Sequence, residues 1–425
     1  MAMLVMMRHG STEAEREAVR ALAAAAGLSI EPFASNGRSA LGLEGDAPAG
    51  LRERLAAEPG VEAVLDAGES VPPRTRDLRI GSIRPLVPPA ILLEELPLPA
   101  AGAEAVYDAR TAISAILNGE DDRLFVVVGP CSIHDPAAAI DYGKKLAALS
   151  ADLADDLLLV MRVYFEKPRT TVGWKGLIND PRLDGSFAIN DGLRLARRLL
   201  LDLVALGLPA GCEFLDPVMP QFFTDAVSWG AIGARTTESQ IHRELASGVS
   251  MPVGFKNGTG GGIQMAIDAV RAAAYPHHFI GVTEQGLAGI VATRGNPDCH
   301  VILRGGAKGP NYDAESVGTT LEAMRAVGLP GRVMIDTSHG NSNKDYRRQP
   351  VVAEAVAEQV AAGQDGIVGL LMESFLVDGK QDAEAGGPLV YGQSVTDSCM
   401  GWEMTEPVLE GLAQAVRERR ARKAG

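Results

Sequence analysis

The chain has 425 residues, a formal net charge of −14 at pH 7 and a pI near 5.1. Hydrophobic residues make up 46% of it and charged residues 22%, a balance that supports a large core and excludes global disorder. Nucleic acids and anionic membranes select basic surfaces, so neither is expected as a main partner. An acidic protein can still bind anions locally where its Arg and Lys side chains gather in one place.

The cysteine pattern and the hydropathy of the chain predict a cytoplasmic protein. The four cysteines are far apart and form no CxxC pair, which favours a reducing compartment. The apolar start is interrupted by Arg8-His9 and is too short for the core of a signal peptide. No apolar run approaches the length of about 18 residues that a membrane span needs, so no span is expected.

Residues 1–70 are predicted to form a small α+β domain, because their pattern follows the order βαββαβ of the ferredoxin-like fold. Thr12 is predicted to cap the first helix, which continues through Ala26. Asn36-Gly37 is a strong hairpin signal between the second and third strands. The predicted strands are Met3–Met7, 30–33, 40–43 and 61–65, and the second helix is 49–57.

From residue 125 onward, short apolar runs alternate with helical stretches. This alternation predicts parallel strands with crossover helices, and eight such units make a (β/α)8 barrel of about 250 residues or more. Residues 71–124 are predicted to be a linker and an N-terminal extension, and 125–425 the barrel, with an inserted hairpin at about 279–292. The eight runs are 125–129, 157–164, 211–215, 231–234, 252–255, 300–303, 333–335 and 367–372.

Each of the eight predicted strands ends at or near a charged residue, a histidine or a cysteine, which are side chains able to bind an anion or a metal ion or to take part in catalysis. In such a barrel the carboxyl ends of the strands open into one mouth, where catalytic residues lie. A single ending of this kind is often structural, but eight together are hard to obtain by chance. These residues are Cys131, Arg162, Glu213, Arg235, Lys256, Arg304, His339 and Glu373.

Four of these ends are cationic, and Lys167 and Arg169 follow shortly after the second strand. Buried cations without counter-charges are costly, so the cluster predicts that an anion binds there. The Arg side chain also suits bidentate contacts with carboxylate and phosphate oxygens. The structural alternative is a ring of salt bridges, for which Glu213 alone offers too few partners. The four cationic ends are Arg162, Arg235, Lys256 and Arg304.

A second set, Cys131, His339 and Glu373 with Asp397 beyond the last strand, predicts a metal site. One thiolate, one imidazole and two carboxylates suit a divalent ion such as Mn2+, Fe2+, Co2+ or Zn2+. Each residue alone has a simpler interpretation: Cys131 as a small buried residue and His339 as a general base. The joint interpretation rests on the shared barrel mouth.

At these residues the sequence resembles the type I 3-deoxy-D-arabino-heptulosonate 7-phosphate (DAHP) synthases of the alpha subtype. The likeness runs from about Arg76 to the C-terminal region, and motifs of this length are specific, unlike the glycine run at 260–262. Gly260 departs from the family, in which Asp is common after NGT. The matching segments are GPCSIHD at 129–135, MRVYFEKPRTT at 161–171, GWKGLINDP at 173–181, GARTTES at 233–239, PVGFKNGT at 252–259 and SHGN at 338–341.

The resemblance implies condensation of phosphoenolpyruvate with erythrose 4-phosphate by a metal-dependent homodimer or homotetramer. It implies contact of the aldose phosphate with Arg169 and Thr170, and proton donation by Lys167 between the two substrates. Cys131 and His339 are implied as catalytic residues through the metal. The implied ligands are Cys131, His339, Glu373 and Asp397, and the implied phosphoenolpyruvate site is Arg162, Lys167, Arg235, Lys256 and Arg304, with Glu213 nearby.

The first 70 residues also resemble, more weakly, the ferredoxin-like regulatory domain of beta-subtype DAHP synthases. That likeness rests on LVMMRHGSTEAE at 4–15 and on the order of elements, and it implies allosteric control by an aromatic amino acid. In alpha-type relatives an effector pocket on the barrel is implied near Gln221, Ser250 and Phe279. A competing interpretation takes Arg8-His9-Gly10 as a histidine-phosphatase signature with His9 as the nucleophile.

Two other functions stay open at this point. A 3-deoxy-D-manno-octulosonate 8-phosphate synthase shares the barrel and phosphoenolpyruvate but uses arabinose 5-phosphate, and the KPRTT segment at 167–171 argues against it. A barrel that has lost catalysis and serves as an effector sensor would need missing ligands, and none of the implied ligands is missing.

Overall fold

The structure is a computed structural model, which describes residues 3–35, 38–66, 78–169, 173–383 and 387–424. The chain divides into two compact units. The first comprises Met1–Pro97 and Val282–Leu287, and the second comprises Leu98–Gly281 and Ala288–Gly425. In the described part of the chain, no helix is both long enough and apolar enough to cross a membrane.

The first unit contains a four-stranded antiparallel sheet, in which the third and fourth strands flank the first and the second pairs with the third, and this confirms the predicted small N-terminal sheet. The Asn36-Gly37 turn and the start of the predicted linker, 67–77, lie outside the described residues. The elements are β1 (Met3–Met7), α1 (Glu13–Ala25), β2 (Ser29–Ser35), β3 (Arg38–Glu44), α2 (Leu51–Ala56), β4 (Val61–Asp66) and α3 (Pro89–Glu95).

Local signals in the sequence explain these elements. Thr12 caps α1 in a capping box: the Glu15 backbone N–H donates to Thr12 Oγ1, and the Thr12 N–H donates to Glu15 Oε2. Side chains of β1 alternate between buried and half-buried, and Met3, Val5 and Met7 enter one core with residues of both helices. The helix α3 packs against β2.

The second unit is a closed barrel of eight parallel strands, and all eight predicted runs are confirmed as its strands. Parallel pairing of Leu371 with Val127 closes the ring between the eighth and first strands of the barrel. After α4 (Ala100–Asn118), the strands are β5 (Leu124–Gly129), β6 (Leu157–Arg162), β7 (Ala210–Glu213), β8 (Trp229–Ile232), β9 (Val253–Lys256), then the hairpin β10 (His278–Val282) and β11 (Ala288–Ala292), then β12 (Cys299–Leu303), β13 (Val333–Asp336) and β14 (Ile367–Glu373).

Helices follow most barrel strands, as the alternating pattern predicts. They are α5 (Pro136–Asp152), α6 (Ile189–Ala205), α7 (Gln240–Ala246), α8 (Gln264–Ala273), α9 (Ala314–Ala326), α10 (Gln349–Ala361) and α11 (Trp402–Ala424). The short strands β15 (Val377–Lys380) and β16 (Gln393–Ser394) pair in the segment between β14 and α11.

Aromatic side chains fill the barrel interior below the strand ends. Phe125 lies edge-on to His300, and the Trp229 indole N–H donates to His300 Nε2 over 3.3 Å. Burial lowers the pKa of His300 to about 4, so its imidazole is neutral and can accept this bond. The neutral His300 is thus accommodated in the packed interior, while the charged residues of the predicted site lie at the strand ends.

Replacing Gly369 with alanine should destabilise the barrel by about 1–3 kcal/mol. Gly369 in β14 pairs with Phe125 in β5, and an added Cβ would lie 2.1 Å from the Phe125 carbonyl oxygen. Thermal unfolding followed by circular dichroism measures the change. The control Gly411→Ala adds a Cβ in open space on α11 and should stabilise by about 1 kcal/mol. An unchanged melting temperature for Gly369→Ala would contradict this packing.

Candidate active site

A cavity of about 290 Å³ lies at the carboxyl ends of the barrel strands. It brings together ten of the residues that the sequence predicted for the site. Thr170 lies outside the described residues, and Glu373 lies just behind the cavity wall, in contact with Arg162. The ten residues are Cys131, Arg162, Lys167, Arg169, Glu213, Arg235, Lys256, Arg304, His339 and Asp397.

Three of the four predicted metal ligands form a close group. Ligand atoms of Cys131, Glu373 and Asp397 all lie within 4.8 Å of one another. His339 lies slightly outside this group, with its Nε2 3.8 Å from Glu373 Oε1. Its Nδ1 is 2.9 Å from Asp336 Oδ2 and 2.6 Å from Ser338 Oγ, an arrangement that orients Nε2 toward the three other residues.

The Lys167 ammonium lies against this group, 2.7 Å from Cys131 Sγ and 2.8 Å from Asp397 Oδ2. Burial acts to lower the pKa of Lys167, but the Cys131 sulfur and the Asp397 carboxylate outweigh it and raise the pKa. Burial raises the pKa of the Cys131 thiol to about 11, so binding of a cation by this sulfur must release a proton.

The cationic residues are held by carboxylates that the sequence reasoning had not counted as partners. Arg162 donates to Glu373 Oε1 over 3.1 Å and stacks on the Tyr164 ring at 3.5 Å. Lys256 Nζ lies 3.2 Å from Asp336 Oδ2. Glu213 was the expected counter-charge, whereas Asp336 and Glu373 make the ion pairs.

Among the described residues that line the cavity, two have a buried guanidinium N–H group without a hydrogen-bond partner: Arg162 (Nη1) and Arg304 (Nε). A buried donor without an acceptor costs about 1–3 kcal/mol, and more when it is charged. Both side chains line the cavity, so an anion with several oxygens would satisfy them. This observation favours an anion site over a closed ring of salt bridges.

Two buried amides, Asn257 and Asn341, and the half-buried Asn311 fix the loops that carry the cations and His339. Asn257 Oδ1 accepts from the Arg304 backbone N–H over 2.8 Å and from Asn311 Nδ2 over 3.2 Å. The Asn311 backbone N–H donates to Asn341 Oδ1 over 2.8 Å, and Asn341 Nδ2 donates to the Asp336 carbonyl over 2.8 Å. The network therefore joins the ends of β9, β12 and β13.

The loop after β13 is strained where the site needs it. His339 has a φ of 54°, and Asn343 and Lys344 also adopt left-handed backbone conformations. Such residues persist only where their surroundings hold them in place, as the amide network does here. Lys344 lines the cavity, and it was missed by sequence reasoning because no strand ends at it.

Comparison with known proteins identifies the family. A model described as "DAHP synthetase I family" matches residues 102–410. The chain belongs to this family. It is 59% identical over 344 residues to the Phe-sensitive phospho-2-dehydro-3-deoxyheptonate aldolase of Escherichia coli (strain K12), covering 81% of this chain and 98% of that protein. A tyrosine-inhibited relative from Schizosaccharomyces pombe is 54% identical over 348 residues, covering 81% of this chain and 94% of the relative.

A solved structure supports the same membership. The phospho-2-dehydro-3-deoxyheptonate aldolase from Francisella tularensis SCHU S4 superimposes with a TM-score of 0.79 at 52% sequence identity. The match covers 80% of this chain and 99% of that one. Arg8-His9-Gly10 lies before residue 102, outside the part that the DAHP synthetase I family model matches.

Glu166 is a further residue of this cavity that could not be singled out from the sequence. It lines the cavity and is buried. Burial raises its pKa to about 8, although the backbone N–H groups of Leu215 and Asp216 donate to its carboxylate. A carboxyl group that stays protonated near neutral pH inside a cleft is a candidate for proton transfer.

The raised pKa of Glu166 should make the stability of the protein fall with pH. The unfolded carboxyl releases its proton near pH 4.3, whereas the folded one holds it until about pH 8. Since the folded state binds more protons between these values, its stability falls as the pH rises through that window. The melting temperature of the wild type, minus that of Glu166→Gln, should therefore decrease by several degrees between about pH 5 and pH 8.

An exposed glutamate in the loop after β8, Glu238, provides the control. Glu238→Gln should melt in parallel with the wild type at each pH, because this side chain is solvated. Parallel curves for Glu166→Gln and the wild type would show that the Glu166 carboxyl is already ionised at low pH.

Proposed function

We propose that the chain is a DAHP synthase, which condenses phosphoenolpyruvate with erythrose 4-phosphate and water to give DAHP and phosphate. The observation that carries the proposal is the pair of buried guanidinium donors without partners beside the Cys131 group. Its relatives bear the name phospho-2-dehydro-3-deoxyheptonate aldolase, and the chain covers 98% of the E. coli protein. This reaction would supply the first committed step toward aromatic amino acids.

Phosphoenolpyruvate carries a carboxylate and a phosphate, and both need cationic partners. The proposed site is the part of the cavity nearest the buried guanidinium groups. Arg forks bind such oxygens in pairs, and the low dielectric of the cavity strengthens each contact. Glu213 packs over Gly233, where an added Cβ would lie 2.3 Å from its Oε1, so a larger residue at this position would require the Glu213 side chain to move. The proposed contacts are Arg162, Lys167, Arg235, Lys256 and Arg304, with Glu213 nearby.

Arg169 and Thr170 are proposed to bind the phosphate of erythrose 4-phosphate. Arg169 Nε donates to the Trp174 carbonyl over 2.8 Å, and the guanidinium group otherwise lies exposed at the cavity mouth. A contact at the mouth suits the distal phosphate of a short sugar whose aldehyde end reaches inward.

The residues around Cys131 fit a divalent metal ion. A sulfur, an imidazole and two carboxylates form a mixed soft and hard donor set, and three of them already lie within 4.8 Å. Cys131, His339, Glu373 and Asp397 would hold the ion, and Mn2+, Fe2+, Co2+ and Zn2+ all suit this set. Such an ion would supply Lewis-acid polarisation of the aldehyde oxygen when bound.

The side chains position the two substrates for carbon–carbon bond formation. C3 of phosphoenolpyruvate attacks the aldehyde carbon, and water adds at C2, which has become electron-poor. The C2–O bond to phosphate then breaks, so that one water is consumed and one phosphate released. Lys167 is proposed to give its proton to the aldehyde oxygen, since its half-buried ammonium lies beside the Cys131 group and lines the cavity. The cationic side chains offset the repulsion between the two anionic substrates, and they also hold the substrates in position for the reaction.

Regulation by an aromatic amino acid and assembly into a homodimer or homotetramer in the cytoplasm complete the proposal. Close relatives are named Phe-sensitive or tyrosine-inhibited, which supports feedback control of this chain. The proposed barrel effector residues all lie in the second unit: Gln221 in a short 3-10 helix (Met219–Phe222) after β7, Ser250 before β9 and Phe279 on β10.

Purified protein should consume phosphoenolpyruvate only when erythrose 4-phosphate is present, as measured by the loss of enol absorbance in the ultraviolet. A chelator should reduce the rate at least about 100-fold, and a divalent metal should restore it. Arabinose 5-phosphate should be used poorly. Preferential use of arabinose 5-phosphate would identify an octulosonate phosphate synthase, and no turnover with either sugar would favour a non-catalytic barrel.

Cys131→Ala should lose most of its turnover, by about 100-fold or more with metal in excess, because it removes one proposed ligand. Bound metal, measured by inductively coupled plasma mass spectrometry, should fall in parallel. Cys299→Ala is the matched control: Cys299 is buried at the amino end of β12, opposite the cavity. Near-normal turnover of a folded Cys131→Ala protein would overturn the metal assignment.

A further inference from the structure

The second unit contains another cavity, of about 190 Å³, next to the active-site cavity. This second cavity lies between the loop that joins β13 to α10 and the segment that follows β14. His339, Lys344 and Asp397 line both cavities, so the two share a wall. Pockets for drug-sized molecules occupy about 300–1,000 Å³, so the smaller second cavity suits a small ion with a few water molecules.

The hydroxyl group of Ser342 is the independent sign that a ligand fills the second cavity. Ser342 is 1% exposed and lines the cavity, and its Oγ has no hydrogen-bond partner within the described residues. A buried hydroxyl group without a partner is costly, and native proteins leave few of them. The hydroxyl group of Ser338 differs, because it already donates to Asp336 Oδ1 over 2.8 Å.

Two lysine side chains bring positive charge to the second cavity. Lys344 belongs to the loop after β13, and Lys380 is the last residue of β15. Within the described part of the chain, neither ammonium group forms an ion pair. Their charge is therefore available to a ligand.

The carboxylates that line the second cavity are already paired with cations. Glu373 Oε1 accepts from Arg162 over 3.1 Å, and Asp397 Oδ2 lies 2.8 Å from Lys167 Nζ. With these two charges offset, the lysine ammonium groups set the sign of the field in the cavity. An anion is therefore favoured there, and a further cation is not.

The backbone of the loop after β13 fixes one of these lysines. Asn343 and Lys344 have φ values of 54° and 61°, and the Lys344 backbone N–H donates to the His339 carbonyl over 2.7 Å. Left-handed backbone at residues other than glycine is strained, and such strain is concentrated at functional sites. The strained loop thus brings Lys344 and the Ser342 hydroxyl to the same cavity.

We propose that the second cavity binds free inorganic phosphate. The phosphate oxygens would accept from the Ser342 hydroxyl group and from the ammonium groups of Lys344 and Lys380. A tetrahedral dianion offers enough acceptors for all three donors, and its charge matches the two cations. The small volume favours the free ion over a phosphate ester that carries a carbon chain.

The role of this phosphate rests on the proposed function, in which phosphate is a product. The shared wall places the second cavity next to the site at which the C2–O bond breaks. The second cavity would hold the released phosphate on its way out, away from the mouth at which Arg169 lies. Phosphate in this position would occupy the protein together with phosphoenolpyruvate and would not compete with it.

Isothermal titration calorimetry of the full, metal-loaded chain tests binding without requiring turnover. Sodium phosphate is titrated with and without saturating phosphoenolpyruvate, which fills the active-site cavity. One phosphate per chain should bind in the presence of phosphoenolpyruvate. Phosphate that binds only when phosphoenolpyruvate is absent would belong to the active-site cavity, and this result would overturn the proposal.

Two variants locate the phosphate, and neither changes a residue that lines the active-site cavity. Lys380→Ala should weaken phosphate binding about fivefold or more, because it removes a charged donor. Ser342→Ala should weaken it about threefold or more. Lys308→Ala removes an exposed lysine in the loop after β12 and is the matched control, which should bind phosphate normally. Wild-type affinity in folded Lys380→Ala and Ser342→Ala would overturn the proposal.

Thermal unfolding separates a binding role of Ser342 from a structural one. Without phosphate, Ser342→Ala should melt at or above the wild-type temperature, because the hydroxyl group has no partner to lose. Added phosphate should raise the melting temperature of the wild type more than that of the variant. A lower melting temperature of the variant without phosphate, and an equal response to phosphate, would contradict the proposed contact.

Glycerol 3-phosphate distinguishes the free ion from a phosphate ester, since both carry the same group. It should bind more weakly than inorganic phosphate in the presence of phosphoenolpyruvate, and Lys380→Ala should not change its affinity. Tighter binding of glycerol 3-phosphate that depends on Lys380 would overturn the assignment to free phosphate.

Steady-state kinetics test the role in product release separately from binding. At saturating phosphoenolpyruvate, added phosphate should lower the maximal rate, and Lys380→Ala should remove most of this inhibition. Inhibition that is purely competitive with phosphoenolpyruvate would overturn the role in release. If the wild type lacks synthase activity but binds phosphate with the expected dependence on Lys380 and Ser342, only the proposed function fails.

Discussion

Two buried carboxylates, Glu373 and Asp336, hold the positive charge of the barrel mouth in place. Glu373 accepts from Arg162 over 3.1 Å and also belongs to the Cys131 group. Asp336 Oδ2 lies 3.2 Å from Lys256 Nζ and 2.9 Å from His339 Nδ1. Burial acts to raise the pKa of Asp336, but His339 and Lys256 outweigh it, and the pKa falls well below its usual range. Each carboxylate therefore serves the anion site and the proposed metal site together.

This sharing explains how an acidic protein carries a strongly cationic cavity. The two carboxylates neutralise part of the charge, yet the buried Arg162 Nη1 and Arg304 Nε keep hydrogen-bonding capacity for an anion. The amide network of Asn257, Asn311 and Asn341 then fixes three strand ends without adding charge. Preorganisation of this kind lowers the cost of reorganising the site when a polyanion enters. The rigid surroundings also keep His339 in a strained backbone conformation with a positive φ.

The parts of this site that could be predicted from the sequence are those tied to strand ends. Apolar runs located all eight strands, and the barrel geometry then placed residues such as Cys131 and Arg304, distant in the chain, at one cavity. Asp336 was not predicted as a site residue, because it ends the strand β13 only three residues before His339, which the sequence indicates as the functional residue of that strand end. Glu166 was not predicted for another reason: its pKa depends on burial and on backbone N–H groups about fifty residues away in the chain. No local pattern encodes that environment.

The first unit shows a similar limit in the sequence signal. Alternation and capping predicted its sheet, but the packing of α3 against β2 could not be foreseen, since residues 71–124 carry no pattern that ties them to this sheet. The Met6–Met7 bulge is equally invisible in the sequence, and it is the bulge that leaves Glu62 outside the ladder. In a regular ladder Glu62 would lie opposite a residue of β1, as Ala63 and Val61 do here. The sheet of the first unit is therefore regular only as far as Met6, and the position of Glu62 depends on the pairing of two strands that lie more than fifty residues apart in the chain.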